Sequence, residues 1–187
     1  MEKMTKTDLQ NLVKFFQMAG KLKRIPRAGW VEACVRQPES VADHTFRTSI
    51  LCMIYSNLEG LDELKLLRMA LIHDLPESII GDLTPSRKTA ETEAKEDKAM
   101  NQILSLLPKS QRKEYMTVWN EYKKCETKEA KTVRQLEKLE MALQAKEYEK
   151  AGSTRKSLER FIKSAEEAIT RPELRKLLSC ILEEQPK

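Results

Sequence analysis

The segment from residue 128 to residue 149 carries the clearest periodic pattern in this chain. Its large apolar residues recur at steps of three and four, the spacing of one face of an α-helix, at Val133, Leu136, Leu139 and Leu143. Neither glycine nor proline interrupts the segment, and the whole chain of 187 residues contains only 5 Gly and 7 Pro. We therefore predict an all-α fold with almost no sheet.

Capping residues place further helix boundaries. Ser40, with Asp43 three residues later, is typical of a capping box and predicts a helix to about residue 58. Asp62 predicts the start of another helix, which leads to His73 and Asp74. A first helix is predicted at about residues 7–19, ended by Gly20, and residues 21–39 are predicted to be an irregular loop. The remaining helices are predicted at about 87–107, 110–124, 154–170 and 172–184.

Chain length and cysteine spacing indicate one cytoplasmic domain. A chain of 187 residues can bury a substantial core without disulfides. The four cysteines lie far apart and form no CxxC pair, which favours reduced thiols in the cytosol over a zinc knuckle or redox motif: Cys34, Cys52, Cys125 and Cys180. No stretch approaches the roughly 18 apolar residues that span a bilayer, and the N-terminus lacks the apolar part of a signal peptide. We therefore expect neither membrane association nor export.

The charge pattern gives little support for nucleic-acid binding. The 34 basic and 29 acidic side chains leave a formal net charge of +5 and are intermixed along the chain, as on a solvated helical surface. One cluster differs, because four bases lie within seven residues without an acid among them: Lys21, Lys23, Arg24 and Arg27. This cluster could attract a phosphate-bearing ligand or be ordinary surface charge.

The chain has two histidines, and one of them, His73, is followed directly by Asp74 in the apolar run LRMALIHDLPESIIGDL. Desolvating an unpaired carboxylate costs several kcal/mol by order of magnitude, so this pair needs a partner. One interpretation is structural, with His73 donating to a backbone carbonyl and Asp74 capping the next segment. The other is a divalent cation bound by both side chains.

The neighbouring residues favour the metal interpretation. Glu77 follows within one helical turn of His73 and Asp74, and Asp82 follows a glycine turn. His44 is predicted one turn into the helix that begins at Ser40, on a side that faces another helix. Because the chain has no third histidine, the presence of His44 together with His73 and Asp74 favours a shared metal site over isolated core residues.

Three ligands from two helices would leave one side of an ion uncovered, so a fourth ligand is expected from a later helix. Glu137 is the candidate, because Val133 and Met141 at four-residue steps place it on the core-facing side of the helix predicted over residues 128–149. Glu140, one turn further, is the alternative ligand, or it could orient a ligand through a hydrogen bond.

Four motifs follow one another along the chain, within a match that spans roughly residues 10–150: KLKRIPRAGW, PESVADHTFR, LIHDLPESIIGDL and LEKLEMALQAKEYE. Together they resemble the HD-domain hydrolases, and within them the branch of the bacterial 5'-deoxynucleotidases and their archaeal and eukaryotic relatives. The resemblance implies a single HD-domain helical bundle over residues 1–187, with a core at about 10–150 and C-terminal helices at about 154–184. It also implies a homodimer that hydrolyses deoxynucleoside 5'-monophosphates to deoxynucleosides and phosphate.

Matched by motif position, the resemblance implies one divalent metal ion, for which Co²⁺, Mn²⁺ and Mg²⁺ are the candidates. His44, His73 and Asp74 match three of the family's metal ligands. The fourth ligand of the family is an aspartate, and Glu137 stands in its place here. Because glutamate is one methylene longer, it would have to bend back or bind through water.

The resemblance also implies catalytic and substrate-binding residues. Glu77 and Asp82 match the acidic residues around the attacking water and the leaving group, and we expect Asp82 to transfer the proton with Glu77 as its partner. Arg27 and Trp30 resemble the substrate-binding Arg-Trp pair of the family, although two residues separate them here. Arg27 would then hold the phosphate and Trp30 would lie beside the sugar or base.

Two other functions are compatible with parts of the sequence. The Glu137 substitution motivates a nucleotide-binding or regulatory HD module with weak or absent turnover. The basic loop motivates a helical scaffold for nucleic acid or protein, but that function leaves the buried histidines and aspartate unexplained.

Overall fold

A computed structural model describes residues 4–183 of the chain and confirms the prediction of an all-α fold. Ten α-helices occur in this range: α1 (Lys6–Lys21), α2 (Ala28–Glu32), α3 (Val41–Glu59), α4 (Glu63–Ile72), α5 (Glu77–Ile80), α6 (Ala90–Leu104), α7 (Lys109–Lys124), α8 (Lys128–Lys150), α9 (Arg155–Ala168) and α10 (Pro172–Glu183). Short 3₁₀ turns occupy Leu22–Arg24 and Pro85–Arg87. Within the described residues, extended pairing is limited to one isolated antiparallel bridge between Pro26 and Ser40.

The capping box predicted for the second long helix is present and fixes the start of α3. The Asp43 backbone N–H donates to Ser40 Oγ at 3.2 Å, and the Ser40 N–H donates to Asp43 Oδ2 at 2.9 Å. The helix ends at Gly60, whose φ of +63° is the left-handed conformation that glycine adopts without strain. Asp62 caps α4 as predicted, accepting from the Lys65 N–H at 3.0 Å. These boundaries determine where the two histidine-bearing helices meet.

The predictions for the first forty residues were wrong in detail. Gly20 does not end the first helix, which begins after Thr5 and continues to Lys21. A single glycine costs a helix only about 1 kcal/mol, which its neighbours can offset. The predicted loop contains the short helix α2, because burial of Trp30 anchors this segment against the rest of the molecule.

Helix α8 lies at the centre of the molecule. It packs against α3, α4, α7, α9 and α10. The main core contains two leucines of α8 together with side chains from α4 and α6, such as Leu66, Met69, Met100, Leu136 and Leu139. A smaller cluster joins the far end of α8 to α2 and α9 and comprises Trp30, Val35, Ala145, Tyr148, Leu158 and Phe161. Side chains on the inner face of α8 are therefore shielded by helices on most sides.

Helices α1 and α3 each expose several large apolar side chains on one face. Helix α1 has no buried residue, and its apolar face exposes Leu9, Val13 and Phe16. Helix α3 exposes a stripe at four-residue steps, formed by Phe46, Ile50, Ile54 and Leu58. None of the helices in residues 4–183 combines the length and the apolar character needed to cross a membrane.

Candidate metal centre and substrate cavity

His44 is buried one turn into α3, and the surroundings of one ring nitrogen define its orientation. Nδ1 lies 2.5 Å from Glu140 Oε2, and Arg47 Nε donates to Glu140 Oε1 at 2.9 Å. Burial disfavours the charged form of Glu140, but His44 and Arg47 hold its pKa below the usual value. A carboxylate on Nδ1 keeps the proton on that nitrogen, so the lone pair of Nε2 is left for a metal ion.

His73 and Asp74 follow the last turn of α4. His73 Nδ1 lies 2.6 Å from the carbonyl oxygen of Ala70, which places the proton of the neutral ring on Nδ1. Nε2 is buried without a hydrogen-bond partner in the described residues, although Asp74 Oδ2 lies 3.0 Å away. Two facing lone pairs at that distance repel each other unless a proton or a cation lies between them. The backbone contact expected from the structural interpretation is therefore present, but it leaves Nε2 unsatisfied.

The ligand atoms of His44, His73 and Asp74 lie within 4.8 Å of one another. His44 Nε2 is 4.0 Å from Asp74 Oδ2. Donors bound at about 2.1 Å to one ion lie roughly 3 to 3.5 Å apart, so these three side chains fit a metal after small shifts. Glu137 lies at the edge of the group: its Oε1 is 4.0 Å from His73 Nε2 and accepts a hydrogen bond from the Tyr122 hydroxyl at 2.8 Å.

A second group with ligand atoms within 4.8 Å consists of Glu39, His44 and Glu140. The hydrogen bond between His44 and Glu140 already uses the facing atoms of these two residues. Glu39 Oε1 accepts from Trp30 Nε1 at 2.9 Å, and burial, followed by the charge of Glu140, raises the pKa of Glu39 to about 7. The group around Asp74 is consequently the better candidate for a divalent ion.

The charges around this candidate centre are closely coupled. Burial opposes ionisation of both His73 and Asp74. Asp74 and Glu137 nevertheless raise the pKa of His73 to about 9, and His73 and Arg27 hold the pKa of Asp74 well below its usual range. A divalent ion bound at Nε2 of His73 would take the place of the proton that charges the ring, and Asp74 would remain charged.

Glu77 and Asp82 lie close together beside the centre. Gly81, with φ of +80°, allows the turn that brings Asp82 back, and Asp82 Oδ2 accepts from the Ala28 N–H at 2.6 Å. Glu77 is buried, and its Oε2 has no hydrogen-bond partner in the described residues. Burial first, and then the charges of Asp74 and Asp82, raise the pKa of Glu77 well above its usual range. A buried carboxyl group whose pKa is raised in this way is suited to proton transfer.

Arg27 and Trp30 occupy different positions relative to the centre. Arg27 Nη1 lies 3.4 Å from Asp74 Oδ2 and 3.8 Å from Asp82 Oδ1, so its guanidinium is among the acidic side chains. Trp30 is only 2% exposed, and its ring centroid lies 4.0 Å from that of Phe161. Nearly all of the indole surface is therefore used in packing, and Trp30 supports the wall of the site.

The side chains assigned from sequence line one cavity of about 390 Å³: Arg27, Trp30, His44, His73, Asp74, Glu77, Asp82 and Glu137. This volume is in the range of small-molecule sites. Sequence reasoning missed six other polar side chains of the wall: Thr84, Lys88, Tyr122, Arg134, Gln135 and Lys138. Arg134 and Lys138 share a helix face with Glu137 and Met141, a spacing that could have indicated them. Lys88 and Tyr122 come from other parts of the chain and carry no such local signal.

Comparisons with known proteins add independent information. A family model described as "HD domain" matches residues 19–176. The chain is 39% identical over 170 residues to 5'-deoxynucleotidase HDDC2 of Mus musculus, covering 90% of this chain and 85% of that protein. It is 34% identical over 181 residues to 5'-deoxynucleotidase hdd1 of Schizosaccharomyces pombe, covering 94% and 90%. Among solved structures, a conserved hypothetical protein from Pyrococcus furiosus has a TM-score of 0.77 and 34% identity, covering 92% of this chain and 99% of that chain.

Proposed function

Because this chain belongs to the HD domain family, we propose that it is a metal-dependent phosphomonoesterase that hydrolyses deoxynucleoside 5'-monophosphates to deoxynucleosides and phosphate. The observation that carries the proposal is the unsatisfied Nε2 of His73, which faces Asp74 and His44 inside a cavity that also contains Arg27. Relatives named 5'-deoxynucleotidases that align with most of the chain support the substrate class.

One divalent ion, with Co²⁺, Mn²⁺ and Mg²⁺ as candidates, would be held by His44, His73 and Asp74. Glu137 would complete the set directly or through water. When bound, such an ion neutralises a phosphoryl oxygen and lowers the pKa of water near it. The donor set of two imidazoles and carboxylates is compatible with each of these metals.

The other side chains of the cavity would bind the substrate and move protons. Arg27, already among the acidic side chains, offers a planar fork to the phosphate. Glu77 and Asp82 would transfer the proton between water and the leaving 5'-oxygen. Trp30 would support the cavity wall beside the sugar or base, since almost none of its surface is exposed.

The test is phosphate release by metal-stripped protein that is resupplied with Co²⁺, Mn²⁺ or Mg²⁺. Matched deoxyribo- and ribonucleoside 5'-monophosphates are compared at equal concentration. We expect release only after metal is returned and only from the deoxy series. Equal release from both series would contradict the proposed selectivity, and release without added metal would contradict the proposed chemistry.

The second candidate function is a nucleotide-binding or regulatory module without turnover, which the glutamate at position 137 motivates. Glu137 is held by Tyr122 at the edge of the candidate metal group, so an incomplete metal site would bind nucleotide without hydrolysing it. Thermal stabilisation by a deoxynucleotide in the absence of phosphate release would support this function over the enzyme.

The proposal includes a homodimer in the cytoplasm, with the whole chain as one HD domain. The four free cysteines, all in the described part of the chain, accord with a reducing compartment. For the dimer, the apolar stripe of α3 is the candidate interface. Phe46 and Leu58, at its two ends, are 69% and 74% exposed, and contiguous exposed apolar surface of this kind is typical of protein interfaces.

The dimer proposal predicts that Ile54→Glu abolishes self-association. Ile54 lies within the stripe and is 55% exposed, so a charge there would be buried without a partner in the dimer while costing the monomer little. Sedimentation equilibrium should give twice the chain mass for the unmodified protein and one chain mass for the variant. Leu177→Glu, at an exposed apolar residue of α10, is the matched control and should remain dimeric. A monomeric unmodified protein would contradict the proposal.

A further inference from the structure

Arg134 lies on the face of α8 that borders the candidate site. It precedes Glu137 by three residues, and both line the site cavity. Its guanidinium carbon lies 4.1 Å from the centroid of the Tyr122 ring, and that ring lies 5.7 Å from the ring of His73. The stack on Tyr122 therefore holds a positive charge one aromatic ring away from a candidate metal ligand.

Among the four cations that line this cavity, Arg134 is the one to which the described residues offer neither a hydrogen-bond acceptor nor an ion-pair partner. Arg27 contacts carboxylates, Lys88 Nζ lies 3.0 Å from Glu96 Oε1, and Lys138 Nζ donates to Ser164 Oγ at 3.1 Å. For Arg134, the described residues provide no hydrogen bond or ion pair, and its Nε is buried without an acceptor. A buried guanidinium N–H without an acceptor is costly, and an anion that enters the cavity would supply that acceptor.

A second cavity of about 230 Å³ adjoins the first and shares part of its wall, including His73, Lys88, Tyr122 and Arg134. Arg134 is thus accessible from both cavities. The wall around it is rich in carboxylates, which would repel a phosphate dianion unless a cation offsets them. Arg27 already lies close to two of these carboxylates. Arg134, which has no such contact among the described residues, is therefore the cation that remains to neutralise the charge of the phosphate.

We propose that Arg134 is a phosphate-binding residue that contacts the phosphoryl group of the substrate and the phosphate released from it. The inference rests on the proposed function for the identity of the substrate, but it also makes a claim about inorganic phosphate alone. Arg134 acts on affinity for the phosphate group and does not contact the nucleoside. The stack on Tyr122 orients its planar fork, a role that lysine at the same position would fulfil only in part.

The experiment is calorimetric titration of the metal-loaded full chain with inorganic phosphate and, separately, with a deoxynucleoside. Arg134→Met keeps the bulk that packs on Tyr122 and removes the charge. We expect its phosphate affinity to fall about tenfold or more, as for the loss of a charge-assisted hydrogen bond, with deoxynucleoside affinity unchanged. Arg134→Lys should have an intermediate phosphate affinity. If Arg134 had a purely structural role, its replacement would lower the affinities for phosphate and for the deoxynucleoside together.

Arg68→Met is the matched control, because Arg68 also stacks on a tyrosine, at 5.9 Å from the Tyr115 ring, but pairs with Glu114 away from the site. Its phosphate affinity should equal that of the unmodified protein. Unchanged phosphate affinity in both Arg134 variants would overturn the inference even if nucleotides are hydrolysed. Conversely, phosphate binding that depends on Arg134 in a protein that releases no phosphate would support the inference and refute the proposed function.

Discussion

Asp74→Ala protein is expected to lose both its bound divalent metal and its phosphate release. Asp74 Oδ2 lies 3.0 Å from the unsatisfied Nε2 of His73 and 4.0 Å from His44 Nε2. Without this carboxylate, two neutral imidazoles and Glu137 at the edge of the group are left to hold the ion, and the negative charge nearest to both histidines is removed. Because metal assistance is worth several kcal/mol, we expect activity to fall by about a thousandfold or more.

Metal content after dialysis, measured by atomic emission, and phosphate release should be recorded on the same samples. Asp97→Asn is the control, because Asp97 is an aspartate that binds Trp119 and Lys123 outside the candidate centre. It should retain metal and activity. The far-ultraviolet circular dichroism of the Asp74 variant should remain helical, since Arg27 keeps Asp82 as a partner. Full activity in this variant would show that the metal assignment is wrong.

The parts of the site that the sequence predicted are those that depend on local chemistry. The capping box of Ser40 and Asp43 determines the start of α3, and with it the position of His44 one turn later. The carboxylate and imidazole inside an apolar run indicated a costly burial that an ion could offset. Both inferences need only residues within one or two turns of each other.

The parts that were not predicted depend on contacts between distant segments. Backbone hydrogen bonds join Arg27 to Glu39 and Val41 to Ile25. They hold the segment that was expected to be an irregular loop against the start of α3, where it forms part of the cavity wall. These backbone hydrogen bonds have no side-chain signature. Likewise, the position of Arg134 follows from its stack on Tyr122, which comes from another helix. Periodicity places a residue on a face, but packing decides which partner that face meets.

Which of Glu137 and Glu140 is the candidate metal ligand is also decided by contacts between distant segments, although the two residues lie within one turn of α8. Both glutamates are close to the core-facing side of α8, so periodicity allowed either as a ligand. The structure separates them by partner: Tyr122 holds Glu137 near His73, whereas His44 and Arg47 hold Glu140. A histidine needs a hydrogen-bond acceptor on the nitrogen that does not face the metal, and Glu140 provides it.

Glu140→Leu is therefore expected to lower both stability and metal affinity. The side chain of Glu140 is fully buried, and removing it leaves His44 Nδ1 without its acceptor and Arg47 Nε without its buried partner. Breaking a buried ion pair in this way costs about 3 to 5 kcal/mol in the free energy of unfolding. Because the ring of His44 would no longer be oriented, metal affinity should fall about 10- to 100-fold.

Urea unfolding of metal-free protein separates the effect on stability from the effect on metal binding, which a metal titration measures. Glu147→Leu is the matched control: Glu147 binds the same Arg47 from the same helix but is half exposed, so its loss should cost under about 1 kcal/mol. If Glu140→Leu is too unstable to titrate, Glu140→Gln keeps the shape of the side chain and removes its charge. An unchanged metal affinity in the glutamine variant, together with a loss of stability, would limit Glu140 to packing and ion pairing.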